Sequence, residues 1–135
     1  MKDRLPSLRR LLRAFRRDTA AATASEFALV VPVFILMVFG TINTCLALAA
    51  VINVHYAAER AARCMSVGTT GPCTSANVDA YAKDWYRGPG VNSLNFAWSS
   101  QTCGNRVIGT GSYNIITGFN ATAVSISAQA CYPVI

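Results

Sequence analysis

The residues in this chain whose types and spacing could do chemistry are five cysteines, a single histidine and one carboxylate at the edge of a long apolar run. Four of the cysteines, Cys64, Cys73, Cys103 and Cys131, follow that run, and in an oxidising compartment they can form two disulfides. Three connectivities are open to four cysteines. Cys64–Cys73, closing a short loop over Gly68 and Gly71-Pro72, with Cys103–Cys131 tying two strands together, is the favoured one. A metal site is disfavoured, because no cysteine pair has the short spacing of structural zinc and His55 stands alone. Cys45 lies inside the apolar run and reads as a small buried hydrophobe. No catalytic constellation is filled: there is no second histidine, no carboxylate pair on a common scaffold and no phosphate-cradling glycine loop. The expectation is a non-enzyme without cofactors.

The element that must position Glu26 is a helix. From Phe27 to Val54 the chain is continuously uncharged, which exceeds the roughly 20 residues that cross a hydrocarbon core about 30 Å thick. Lys2, Arg4, Arg9, Arg10, Arg13, Arg16 and Arg17 precede it. Basic residues beside a span stay cytoplasmic, so the N-terminus is expected inside and everything after about His55 outside. Leu8, Leu11, Leu12 and Phe15 make the leader either a basic amphipathic stretch on the inner membrane surface or a plain charged tail. After Glu26, five basic residues face three acidic ones. The net charge of +6 is therefore explained by topology and anionic lipid, and no nucleic-acid partner is expected.

Thr23-Ala24-Ser25-Glu26 matches a capping box and offers a helix start. Pro32 removes one backbone bond two turns later. The helix continues beyond the apolar run, with Val54, Ala58, Ala61 and Met65 on one side, a Glu59–Arg63 pair at i,i+4, and Gly68 as a stop. A second helix, capped at Thr74 or Ser75, runs through Val78, Tyr81, Ala82 and Trp85 to Gly88-Pro89-Gly90. Alternation then takes over at Leu94, Phe96 and Trp98, at Arg106 to Ile108, at Tyr113 to Ile116 and from Ala121 to Cys131. Cys103-Gly104-Asn105 and Gly109-Thr110-Gly111-Ser112 are expected as the turns. The fold class is α+β: a long transmembrane and stalk helix carrying a small disulfide-stapled antiparallel-sheet head, one face of which packs on the helix. Three segments follow, a leader at 1–21, the span and stalk at 22–67 and an exported head at 68–135.

The stretch Ala22-Thr23-Ala24-Ser25-Glu26-Phe27-Ala28-Leu29-Val30-Val31-Pro32, led by arginines and followed by Ala57 to Cys64, resembles the TadE-like minor pilins, or pseudopilins, of bacterial tight-adherence pilus systems. Cys103-Gly104-Asn105-Arg106-Val107 and Ala128 to Pro133 are similar to that family as well. The resemblance implies a pilin-like fold and removal of the leader by a prepilin peptidase. It also implies partners in other pilin or pseudopilin subunits and the inner-membrane assembly machinery, with the lipid bilayer holding the helix and the protein entering an extracellular pilus. Placing Glu26 fifth in the mature chain puts the cut between Ala21 and Ala22, with Ala21 where the family usually has glycine. Glu26, Phe27 and Pro32 then become the assembly positions.

Two readings of Glu26 stay open, the capping box and an ion pair with the new amino group of a neighbouring subunit's Ala22. Gly40 and Thr44 have a small-residue spacing that could seat another helix. Tyr81, Trp85, Tyr86, Phe96 and Trp98 read as core and rim, with a surface-binding platform as the alternative. Asn120-Ala121-Thr122 is a weak glycosylation match. The rival architectures are an uncleaved single-pass adhesion protein, and a secreted one cut after Ala47-Leu48-Ala49, against which the long apolar run counts.

Overall fold

In the computed structural model, residues 19–67, 72–116 and 120–134 are described. The elements are α1 (Thr19–Val67), α2 (Val78–Trp85), β1 (Asn92–Gln101), β2 (Gly104–Ile116) and β3 (Ala121–Tyr132). The chain packs as two units that divide between Phe39 and Gly40. The expected leader amphipathicity, the Gly68 stop and the loop glycine Gly71 fall outside the described residues.

α1 is described from Thr19 and so already runs at least four residues ahead of the expected start. Ala20, Ala21 and Ala22 are strong helix formers, and they carry the helix upstream. Thr23 and Glu26 therefore sit inside it, and the capping box does not form its end.

In the second unit the C-terminal part of α1 lies along a three-stranded antiparallel meander of order β1-β2-β3. Asn43 bonds Ile116, Val54 lies against Gly109, and Met65 and Ser66 meet Asn105. At about 1.5 Å per helical and about 3.3 Å per strand residue, Asn43 to Ser66 and Ile116 to Asn105 both measure about 35 Å. The helix thus runs antiparallel to β2 over the whole strand. Its inward positions are Ala50, Val54, Ala57, Ala58, Ala61 and Ala62, all fully buried. They recur at the three- and four-residue steps of one helical face. The sheet supplies the bulk, with Phe96, Val107, Tyr113 and Ile126 filling the space beneath that small-residue face. Ala50 and Val54 belong to the apolar run read as span, and they are head core.

Gly109-Thr110-Gly111-Ser112 is not a turn. β2 is continuous from Gly104 to Ile116, so the two short pieces expected there are one strand of 13 residues. The reason lies in packing. A Cβ on Gly109 would sit 2.6 Å from both the Phe96 ring and a Val54 methyl, and one on Gly111 would strike Val91. These glycines admit neighbours rather than reversing the chain. The reversal is made by Thr102-Cys103, between paired Gln101 and Gly104. Gly104 has φ +118, and a Cβ there would collide with the Tyr132 carbonyl.

α2 starts two or three residues later than expected, at Val78 with Asn77 in the cap position, after a turn in which the backbone N–H and hydroxyl of Thr74 both donate to Asn77 Oδ1. It guards the β1 edge. Asp79 accepts the Phe96 N–H at 2.8 Å and the Lys83 ammonium at 2.7 Å. Partial burial raises the Asp79 pKa, but the Lys83 bond, the Phe96 N–H and the Lys83 charge together outweigh it, and the net shift is downward. Asp79–Lys83 is the one ion pair among the described residues; Glu59 and Arg63, expected to pair, are both exposed and do not. Cys45 is exposed rather than buried, because it faces away from the sheet.

Two predictions test this packing. Gly109→Val should lower stability by about 1–3 kcal/mol, the usual range for overpacking, in denaturant melts of the detergent-solubilised protein. Gly90→Ala, where nothing lies within 4 Å of the new methyl, should leave the midpoint in place. For pH, a carboxyl whose folded pKa is depressed stabilises above its unfolded value and loses that contribution as pH falls through the folded value. Stability should accordingly drop on acidification below about 3.8, the ordinary Asp79 value. Asp79→Asn should remove that part of the profile, and an unchanged profile would disprove the edge contact.

Candidate functional site

The first unit is described from Thr19 to Phe39, with side chains from Thr23 onward. Every residue from Thr23 to Ile42 is exposed, Phe27, Leu29, Val30, Val33, Phe34 and Met37 among them. A helix that is apolar on all sides yet uncovered by its own protein belongs in lipid or among other apolar helices. α1 is long and apolar enough to cross a membrane.

Glu26 is the single acidic or basic side chain between Thr23 and Val54 apart from the Cys45 thiol, and it is exposed within the helix. Phe27 follows it, 71% exposed. Pro32 stands inside α1 and supplies no N–H to the Ala28 carbonyl. Glu26, Phe27 and Pro32 thus share one uncovered helical segment. Ala21 and Ala22 lie within the same described helix. Thr44 donates its hydroxyl to the Gly40 carbonyl, and a methyl on Gly40 would meet nothing within 4 Å. The surface at that pair is open.

The four remaining candidates come together in pairs. Cys64, near the end of α1, bonds Cys73 ahead of α2, and Cys103 in the β1–β2 turn bonds Cys131 near the end of β3. Between these bridges sits a buried polar knot. Trp98 Nε1–H donates to Asn105 Oδ1, Asn105 Nδ2 donates to the Met65 carbonyl and to Ser66 Oγ, and Ser66 donates to the Tyr132 carbonyl. Every partner is satisfied, as a buried network requires. The bridges and the knot fasten helix, hairpin and third strand at one end. The aromatic residues divide between roles: Phe96 is core, whereas Trp85 packs against Tyr81 and lies under the Arg60 guanidinium, 5.1 Å from the ring centre.

Residues 21–63 match the TadE-like protein family. Over this segment the chain is similar to TadE-like proteins. The helix that carries the match is long and apolar enough to cross a membrane. The matched segment covers about a third of the chain and opens at Ala21. It takes in Glu26, Phe27 and Pro32 together with the alanine face of α1 that carries the sheet. No curated protein and no solved structure matches the chain.

Sequence reasoning missed Asn43, Asn105 and Asp79. Asn43 carried a signal, since an amide inside an apolar run needs a partner. It donates to the Ile116 carbonyl at 3.0 Å and accepts the Ile116 N–H at 3.4 Å. β1 ends its pairing at Ser112, so the side chain of Asn43 takes the place of the missing neighbour strand. Asn105 and Asp79 had no local signal, because their partners are distant in sequence.

Alkylation of the unfolded, non-reduced protein should modify Cys45 alone. Removing the second bridge as Cys103→Ser with Cys131→Ser should cost about 2–5 kcal/mol, the usual range for a small exported domain, read by denaturant unfolding. Five labelled thiols would disprove both bridges.

Proposed function

We propose that this protein is a minor pilin-like subunit, a pseudopilin, that acts in assembling a tight-adherence pilus and in the surface attachment such a pilus provides. The observation that carries the reading is where the TadE-like match falls: on a helix apolar on all sides that bears one carboxylate near its start. In this reading α1 sits in the bacterial inner membrane, with the basic N-terminus cytoplasmic and the head exported. A prepilin peptidase cuts between Ala21 and Ala22. The freed helix then packs beside those of other pilin or pseudopilin subunits, and the head contacts its neighbours and the assembly machinery.

Glu26 has a physical task in that sequence of events. A lone carboxylate within a span costs about 2.5–3.5 kcal/mol at the bilayer centre and less towards the interface. The amino group exposed on Ala22 of a neighbouring subunit would offset that cost and set the register between helices. With Thr23 inside the helix rather than at its end, a capping box does not compete as the role of Glu26. The protein is structural rather than catalytic in this reading, and the second architecture, an uncleaved anchored binding protein, differs from it at the N-terminus.

Mass spectrometry of the protein from its native membrane should find a mature chain starting at Ala22. A chain that still starts at Met1 would overturn the processing step and favour the permanent anchor. Glu26→Ala should leave membrane insertion and both disulfides unchanged while reducing recovery in sheared pili by about tenfold, the effect of losing roughly 1.4 kcal/mol of pairing. Normal recovery would remove Glu26 from assembly.

A further inference from the structure

The two ends of the second unit differ sharply in charge. From Val107 to Ile135 the sequence holds no ionisable acid or base other than tyrosine and a disulfide-bonded cysteine. The charged residues of this unit are Glu59, Arg60 and Arg63 on the later turns of α1, Asp79, Lys83, Asp84 and Arg87 on or just after α2, and Arg106 at the start of β2. None lies at the end where Asn43 holds Ile116. The same end is uncharged and, beside the polar Asn114, Asn120 and Thr122, exposes large apolar side chains: Ile116 is 61% exposed, and Val124, Ile42 and Leu46 are each nearly half uncovered. On α1 the outward face stays apolar through Leu48, Val51 and Ile52 and becomes polar at His55.

The chain length ahead of this end sets where a membrane must lie. Between Glu26 and Asn43 there are 16 residues, all uncharged. They reach about 24 Å as a helix, against a hydrocarbon core of about 30 Å. The shortfall is met either by drawing Glu26 inward or by bringing the Asn43 end of the head down to the lipid. The first buries a carboxylate. The second lowers an uncharged surface whose one intruding amide, Asn43, is already bonded to the Ile116 backbone. Mismatch of this size costs only fractions of a kcal/mol per Å, so the uncharged end is the one that yields.

We propose that the end of the head formed by Ile115, Ile116, Asn120 and Val124, beside Ile42 and Leu46 of α1, rests in the headgroup layer of the membrane that α1 enters. Its partner is the lipid surface. The head is thereby seated on the bilayer before assembly, and leaving the membrane for a filament requires that contact to be given up. The proposal rests on the reading of α1 as a membrane anchor.

The test uses the full chain in unilamellar vesicles of mixed zwitterionic and anionic phospholipid, with brominated acyl chains as quencher. Single tryptophans are added to the native Trp85 and Trp98 baseline as Phe34→Trp in the helix, Ile116→Trp at the seated end and Ser100→Trp at the opposite end of the sheet. Retention of both disulfides checks folding. Added fluorescence at Ile116→Trp should be quenched about twofold more than at Ser100→Trp, and less than at Phe34→Trp, as befits an interfacial depth. Equal, weak quenching at Ile116→Trp and Ser100→Trp with strong quenching at Phe34→Trp would overturn the proposal and leave the anchor standing. Blue-shifted Ile116→Trp emission that is insensitive to brominated lipid and reverses on dilution would assign the surface to a second copy, which also overturns it. Absence of quenching at Phe34→Trp would bring down the anchor and the proposal together.

Discussion

The close approach of α1 to β2 is the constraint on which the rest of the head depends. A helix can lie along a single strand for about 35 Å only if neither presents bulk at the contact. Alanines on α1 and Gly109 on β2 meet that condition, and Phe96 then fills the space that the missing side chains leave. Asn43 and Asn105, at the two ends of that contact, fix its register through backbone groups, so the helix cannot slide by a turn without leaving amides unpaired in partly buried sites.

The ends are held by different chemistry. Near Cys64 and Cys131 the fastening is covalent and is joined by the Trp98–Asn105–Ser66 knot, so local opening there is opposed several times over. Near Asn43, one side chain joins α1 to the Ile116 backbone by two hydrogen bonds. Local stability in proteins follows such differences. The doubly bridged end lies among the charges of the later turns of α1 and of α2, and there the bridges hold the shape of the head.

The elements that were legible in the sequence are those whose signal is local. The apolar helix was visible from its length, the α2 helix from its period, and β1 and β3 from alternation. The pairing of the four cysteines was one of three arrangements, favoured by loop length. What misled was punctuation. Gly109 and Gly111 have the spacing of a turn and were read as one, yet they mark close approach to residues far away in sequence, which no local window contains. Thr23 to Glu26 has the pattern of a helix start, but three alanines before it continue the helix. Cys45 was assigned to the interior because free cysteine usually is buried, whereas the apolar run containing it has one covered face and one bare one. The partners of Asn43, Asn105 and Asp79 lie across the fold, and no sequence spacing encodes them.

The alanine face has a consequence for how this chain can vary. Ala47, Ala50 and Val54 lie within the stretch that composition assigns to the anchor, yet they also wall the head's interior. Changes among apolar residues that a lipid environment would accept freely, such as alanine to leucine, would here push helix and sheet apart. The outward positions on the same turns are released from that restriction. Sequence drift along this helix should therefore be striped, conservative in size on one side and permissive on the other. A fragment released by cutting after Ala49 would also leave without Asn43 and Ala47. The smallest self-contained piece of the head begins within the apolar helix, near Gly40, and not at its end.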